Sequence, residues 1–114
     1  MEDCIFCKII KGEIPCDKVY EDDSILAFRD IAPEAPVHIV IVPKKHIISL
    51  NQVVKGDLEI ISHIFLVAKE LATENKIDET GYRLVNNCGI DGGQTVHHLH
   101  FHLLGGKKLG PMAR

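Results

Sequence analysis

No apolar stretch in the sequence approaches the roughly 20 residues that cross a bilayer, so a membrane-spanning helix is not expected. Basic residues are not in excess either. Thirteen Lys and Arg against sixteen Asp and Glu leave a formal net charge of -3, which argues against nucleic-acid binding driven by bulk positive charge. The opening Met1-Glu2-Asp3 is acidic where a signal peptide would be basic, so the expected location is the cytoplasm. Internal repeats, low-complexity tracts and linkers are missing as well. In 114 residues there is no room for a second hydrophobic core, and a single domain over 1–114 is expected.

Apolar (46 %) and charged (25 %) shares are those of an ordinary globular protein, which leaves cysteine and histidine as the anomalies. Cys4 and Cys7 form a C-x-x-C pair, while Cys16 and Cys88 stand alone. In a reducing compartment such a pair reads as a metal or redox element rather than a staple. Six of the seven histidines fall in two places, at His38 and His46 and at His97, His98, His100 and His102.

Hydropathy patterning predicts an α+β domain. Ile5 to Lys11 reads as a short helix stopped by Gly12 and Pro15. Lys18–Tyr20 and Ile25–Arg29 read as a hairpin across Glu21-Asp22-Asp23-Ser24. Val37 to Val42 is β-branched and nearly all apolar, as a strand buried on both faces would be. From about Asp57 to Glu74, Leu58, Ile61, Phe65, Ala68 and Ala72 recur at helical steps, with Ile64 and Leu71 widening the stripe. Asp57 is the expected N-cap and Asn75 the stop. Tyr82–Asn87 and His98–Leu104 complete a mostly antiparallel sheet, with the glycine-rich loop Asn87–Gln94 between them.

Along a strand side chains alternate, so His98, His100 and His102 share one face and Leu99, Phe101 and Leu103 the other. A row of imidazoles titrating near neutrality can supply a nucleophile, an acid or base, and a cation for phosphate oxygens. It can also bind metal.

The run His98-Leu99-His100-Phe101-His102-Leu103-Leu104 resembles the signature of the histidine triad family, and the following Gly105-Gly106 resembles its Hint branch. Similar segments recur at Cys4 to Ile10, Gly12 to Pro15, Phe28 to Ile31, Pro36 to His38, Pro43 to His46 and Gly92 to Thr95, so the likeness spans nearly the whole chain. The resemblance implies a five-stranded sheet with one long helix, continued across a homodimer. It implies binding of purine nucleoside monophosphates and cleavage of phosphoramidates at the α-phosphorus. His100 would be the nucleophile, His102 a phosphate contact, His98 a support, and His38 a member of the hydrogen-bond relay. Asp30 and Ile31 would hold the ribose, and Asn87, Gly93, Gln94 and Thr95 the phosphate and leaving group. Bacterial relatives of this kind suggest zinc on Cys4, Cys7, His46 and His98.

The chemistry agrees with these assignments. Neutral imidazole attacks phosphorus without a strong base and leaves a labile phosphoramidate. Glycine backbone approaches phosphate closely, and a carboxylate accepts ribose hydroxyls. A non-catalytic nucleotide-binding dimer would have no need of His100, and a dinucleoside polyphosphate hydrolase of the Fhit-like branch would carry Leu-Pro-Arg where Gly105-Gly106 stands. The Trp-Pro-Pro-Gly-like tail of some Hint proteins has no counterpart in Lys107–Arg114, since the chain lacks tryptophan. His63 and His97 read as structural or solvated, and Lys44-Lys45 as a solvated pair.

Overall fold

In the computed structural model, which describes residues 3–112, helix α1 covers Ile5–Ile10 and starts on the Cys4 side chain. The Cys4 sulfur accepts the Cys7 N–H at 3.3 Å, filling one of the donors a helix start leaves open. Met1 and Glu2 of the acidic opening, and Ala113 and Arg114 of the tail, lie outside the described residues. Strands β1 (Lys18–Glu21), β2 (Ile25–Arg29), β3 (Val37–Pro43), β4 (Tyr82–Val85) and β5 (Phe101–Gly105) form one sheet in the order β1-β2-β3-β5-β4. Every neighbouring pair is antiparallel.

The β1–β2 turn is built by Asp22, whose Oδ1 accepts the Ser24 and Ile25 N–H groups at 2.8 and 2.9 Å. Its Oδ2 takes Tyr20 Oη and His63 Nε2, each at 2.6 Å. His63 thereby ties the long helix α2 (Leu58–Glu74) to the hairpin.

Helix α2 packs on the sheet through Ile64, Val67, Ala68, Leu71 and Ala72. The buried stripe is therefore rotated from the expected one. Leu58 and Phe65 remain half exposed, and Leu66 joins them. Apolar spacing marks a helix but cannot say how much of a wide stripe the sheet covers. Asp57 occupies the N-cap position without capping α2: its carboxylate accepts Lys45 Nζ at 2.6 Å and the Val54 N–H at 3.0 Å. A 3-10 turn, Lys55–Asp57, feeds the helix directly, and helical backbone at Asp57 turns its side chain from the capping role. Lys44 and Lys45 are likewise ion-paired, to Glu21 and Asp57.

Odd-numbered strand residues Ile25, Ala27, Ile39, Ile41, Phe101 and Leu103 meet α2, while even-numbered Leu26, Phe28, Val40 and Val42 meet Phe6 of α1. Burial of each large aliphatic side chain contributes about 1.5–3 kcal/mol. Ile64 is wholly enclosed, and truncating it to alanine would cost about 2–5 kcal/mol. On the α1 face Val40 sits opposite His102. That register places the histidine row beside the short helix, not the long one.

Candidate active site and metal centre

Strand β5 begins at Phe101, so only His102 of the three alternating histidines lies within it. The ladder ends there because the chain is drawn toward Pro43 and Ile47. The Leu99 N–H donates to Ile47 O at 2.6 Å, and Asn86 Nδ2 holds His100 O at 2.9 Å. The alternation persists in the extended lead-in. Leu99, Phe101 and Leu103 join the α2 core, while Phe6 touches both His98 and His100 on the opposite face.

Hydrogen bonds assign the tautomer of each ring. His100 Nδ1 lies 2.7 Å from His98 O, so it carries the proton and Nε2 keeps the lone pair. His98 Nε2 lies 2.8 Å from Pro43 O, so its free lone pair is on Nδ1. At His38, Nδ1 accepts the Glu34 N–H at 3.1 Å, which puts the proton on Nε2. That Nε2–H donates to His102 Nδ1 at 2.9 Å, and the His102 proton is left on Nε2. Burial pushes all three triad histidines below their ordinary value. For His102, with His100 and His38 adding to burial, the value falls to about 4. The row is neutral at pH 7.

His98 Nδ1 stands 3.1 Å from His46 Nδ1, 3.4 Å from Cys4 Sγ and 3.6 Å from Cys7 Sγ, and Cys7 Sγ is 3.2 Å from His46 Nδ1. Donor atoms around tetrahedral zinc at its usual bond lengths are roughly 3.3–3.8 Å apart. The four residues fit such an ion. A lone pair aimed at two sulfurs and a second imidazole wants a cation between them. Burial and the adjacent Cys4 push the Cys7 thiol up, so a thiolate there also calls for a positive partner. The cluster of Asp30, His38 and His102 is different. The Glu34 N–H fills His38 Nδ1 and leaves a proton on Nε2, where a metal would have to bind. That cluster is joined by hydrogen bonds instead.

His100 and His102 open on a cleft of about 300 Å³. One wall is apolar (Ile5, Phe6, Ile9, Ile14 and Phe28), and Asp30, Ile31, Gly93 and Thr95 lie on the others. The apolar wall is absent from the sequence reading, although the spacing of Ile5, Phe6 and Ile9 on a helix was a signal for it. Asp30 Oδ1 accepts the Ala32 N–H at 2.8 Å, and Oδ2 is 3.4 Å from His38 Nε2. Ile31 is fully exposed.

A second cleft of about 320 Å³ shares Gly93 and His102 with the first and is lined by Glu34, His38 and Asn87. Gly93 has φ +84°, where only glycine is at ease. A Cβ on Gly92 would collide with Cys88 O. The Gln94 side chain lines neither cleft. Its amide donates to Ile48 O and Val96 O, and its carbonyl accepts the Gly89 N–H. Gln94 is a buried loop staple that fixes the shape of the glycine-rich loop. A larger cleft of about 700 Å³, at the β4 edge around Lys76 and Arg83, holds none of these residues.

Residues 3–113 match the family model described as "Scavenger mRNA decapping enzyme C-term binding". The chain is 49 % identical over 111 residues to a purine nucleoside phosphoramidase of Escherichia coli K12, spanning 97 % of this chain and 93 % of that protein. It is 53 % identical over 108 residues to an uncharacterised HIT-like protein of Synechococcus elongatus, spanning 95 % and 94 % of the two chains. Among solved structures, a histidine triad protein from Clostridium difficile superposes with a TM-score of 0.94 at 56 % identity, covering 97 % of this chain and 96 % of that one. A HIT family hydrolase from Legionella pneumophila gives 0.93 at 52 % identity, with 95 % and 96 % covered. Sequence, fold and relatives agree that the chain belongs to the histidine triad family.

Proposed function

We propose that this protein cleaves purine nucleoside 5'-phosphoramidates through a nucleotidyl-histidine intermediate on His100. The observation that carries the reading is the His100 Nδ1–H bond to His98 O, which leaves Nε2 unprotonated on a ring lining the cleft. The apolar wall accepts the base, Asp30 the ribose hydroxyls, and Thr95, beside the space that Gly93 leaves open, the phosphate. His102, held as the Nε2–H tautomer by His38, donates to a phosphate oxygen.

Attack forms a bond from His100 Nε2 to the α-phosphorus and breaks the bond to the amine, which departs with a proton from solvent. The adduct is an imidazolium whose Nδ1–H stays on His98 O. Water then attacks phosphorus, the bond to Nε2 breaks, and a proton returns to solvent. An acceptor other than water gives transfer instead of hydrolysis. The second cleft, across His102 from the first, receives the leaving amine or acceptor.

Zinc on Cys4, Cys7, His46 and His98 would supply structural charge, pinning α1 to the sheet and fixing the lead-in to β5. The protein would act as a homodimer. Leu58, Phe65 and Leu66 leave α2 half exposed on its outer side, and β4 ends the sheet with one edge unpaired. Both features suit a partner copy that continues the sheet. The 49 % identity to a protein named purine nucleoside phosphoramidase supports the substrate class.

The test is turnover of adenosine and guanosine phosphoramidates by wild type and by His100→Ala. The variant is expected to bind AMP and to have no measurable turnover. Quenched reactions with labelled substrate are expected to place the nucleotidyl group on the peptide containing His100. Wild-type turnover by His100→Ala would overturn the mechanism.

A further inference from the structure

We infer that Phe6 is a positioning residue for the nucleophile, clamping the His100 imidazole against His102 and coupling its orientation to α1. The hydrogen bond from His100 Nδ1 to His98 O sets the tautomer, but a single bond two residues away leaves the ring able to rock about it. Two aromatic neighbours restrict that motion. Phe6 lies edge-on to His100, with centroids 5.0 Å apart and planes at 82°. His102 is also 5.0 Å away, at 77°. Both contacts have the T-shaped geometry that aromatic pairs favour.

Phe6 is itself held. It is buried, it packs on Leu26, Phe28, Val40 and Val42, and it makes further edge contacts with Phe28 at 5.7 Å and His98 at 5.9 Å. It also stands between Cys4 and Cys7 on α1, so whatever pins that helix pins the clamp. One ring thus reaches the base wall of the cleft, the lead-in histidine His98 and His100. A nucleophile displaced by even an ångström loses about a hundredfold in rate, so a ring that stops the rocking acts on kcat.

The consequence for turnover rests on the proposed reaction at His100, and the experiment separates the two. In the folded wild type, relaxation of the His100 ring carbons is expected to report a rigid imidazole, in contrast to exposed His97. Its nitrogen shifts are expected to report the Nδ1–H form. Phe6→Leu, which keeps the wall apolar, is expected to mobilise the His100 ring and to lower kcat roughly ten- to a hundredfold, with a smaller change in KM. Phe6→Met serves if the leucine variant does not fold. Ile9→Ala thins the same wall but keeps both aromatic neighbours of His100 and is expected to weaken AMP binding while leaving the His100 signals in place.

An imidazole at His100 as mobile as that of His97 in the wild type would overturn the inference without any variant. So would unchanged ring dynamics and kcat in a folded Phe6 variant. Absence of turnover in the wild type would instead count against the proposed reaction, and the ring measurements would still decide the clamp.

Discussion

His38 Nε2 lies 2.9 Å from His102 Nδ1 although the two residues are not paired across the sheet: His38 faces Leu104, and His102 faces Val40. The contact is a diagonal one between β3 and β5, and it makes His38 the donor that sets the His102 tautomer. His38→Phe removes that donor and leaves a buried lone pair unpartnered. A fall in kcat of about tenfold is expected, read by steady-state kinetics, with AMP affinity changing less. Unchanged kcat would remove His38 from the relay.

The same environment makes stability depend on pH. The folded-state value of His102 is about 4, below its ordinary 6.5, because burial and the adjacent His100 and His38 disfavour the cation. As pH falls below 6.5 the unfolded chain takes the proton first, and stability drops until the folded form is protonated near 4. The His102 contribution is thus complete above that window and lost on acidification through it. Denaturant midpoints measured from pH 4 to 7 are expected to rise with pH. His102→Gln is expected to flatten the slope, and an equally steep variant would show that other groups carry it.

Metal content tests the Cys4, Cys7, His46 and His98 cluster directly. Protein purified without chelator is expected to carry close to one zinc per chain by elemental analysis. Cys4→Ser is expected to lose most of it and to melt roughly 5–10 °C lower, as a loss of one or two kcal/mol would bring in a domain of this size. Full metal content in Cys4→Ser would show that the ion sits elsewhere.

Asp30 presents a carboxylate to the cleft with Oδ1 anchored by the Ala32 N–H. Asp30→Asn keeps the shape but removes the charge from the two ribose hydrogen bonds proposed for it. AMP is expected to bind roughly ten- to hundredfold more weakly by calorimetry, from about 1.5–3 kcal/mol of charge-assisted bonding. An unchanged dissociation constant would place the ribose away from Asp30.

The outer side of α2 reports on assembly. Phe65 is more than half exposed while its ring touches Phe101 at 5.8 Å, so its outward edge is available to a partner. Sedimentation of the wild type at micromolar concentration is expected to show a dimer. Phe65→Glu is expected to shift it toward monomer. A wild type that sediments as a stable monomer would rule out the dimer.

Period-two and helical spacing were enough to read off the five strands, the two helices and the common face of His98, His100 and His102, because these depend on local geometry that each short segment carries in itself. The C-x-x-C pair and the histidines at 38, 46, 98, 100 and 102 could also be singled out as chemistry-bearing. Their grouping could not. Cys7 and His98 are separated by 91 positions, and no local rule says that a sheet register will bring them together. The alternation equally gave no sign that β5 would start only at Phe101, since Leu99 bonds to Ile47 instead of a ladder partner. Gln94 reads as part of the loop around the phosphate, and that its side chain holds three backbone groups of that region is decided by the folded chain that places them beside it. The tautomers are the furthest from the sequence. Each histidine residue is chemically the same, and which nitrogen keeps its lone pair was decided by a carbonyl or N–H that the tertiary structure set within hydrogen-bond distance: His98 O for His100, Pro43 O for His98, and the Glu34 N–H for His38.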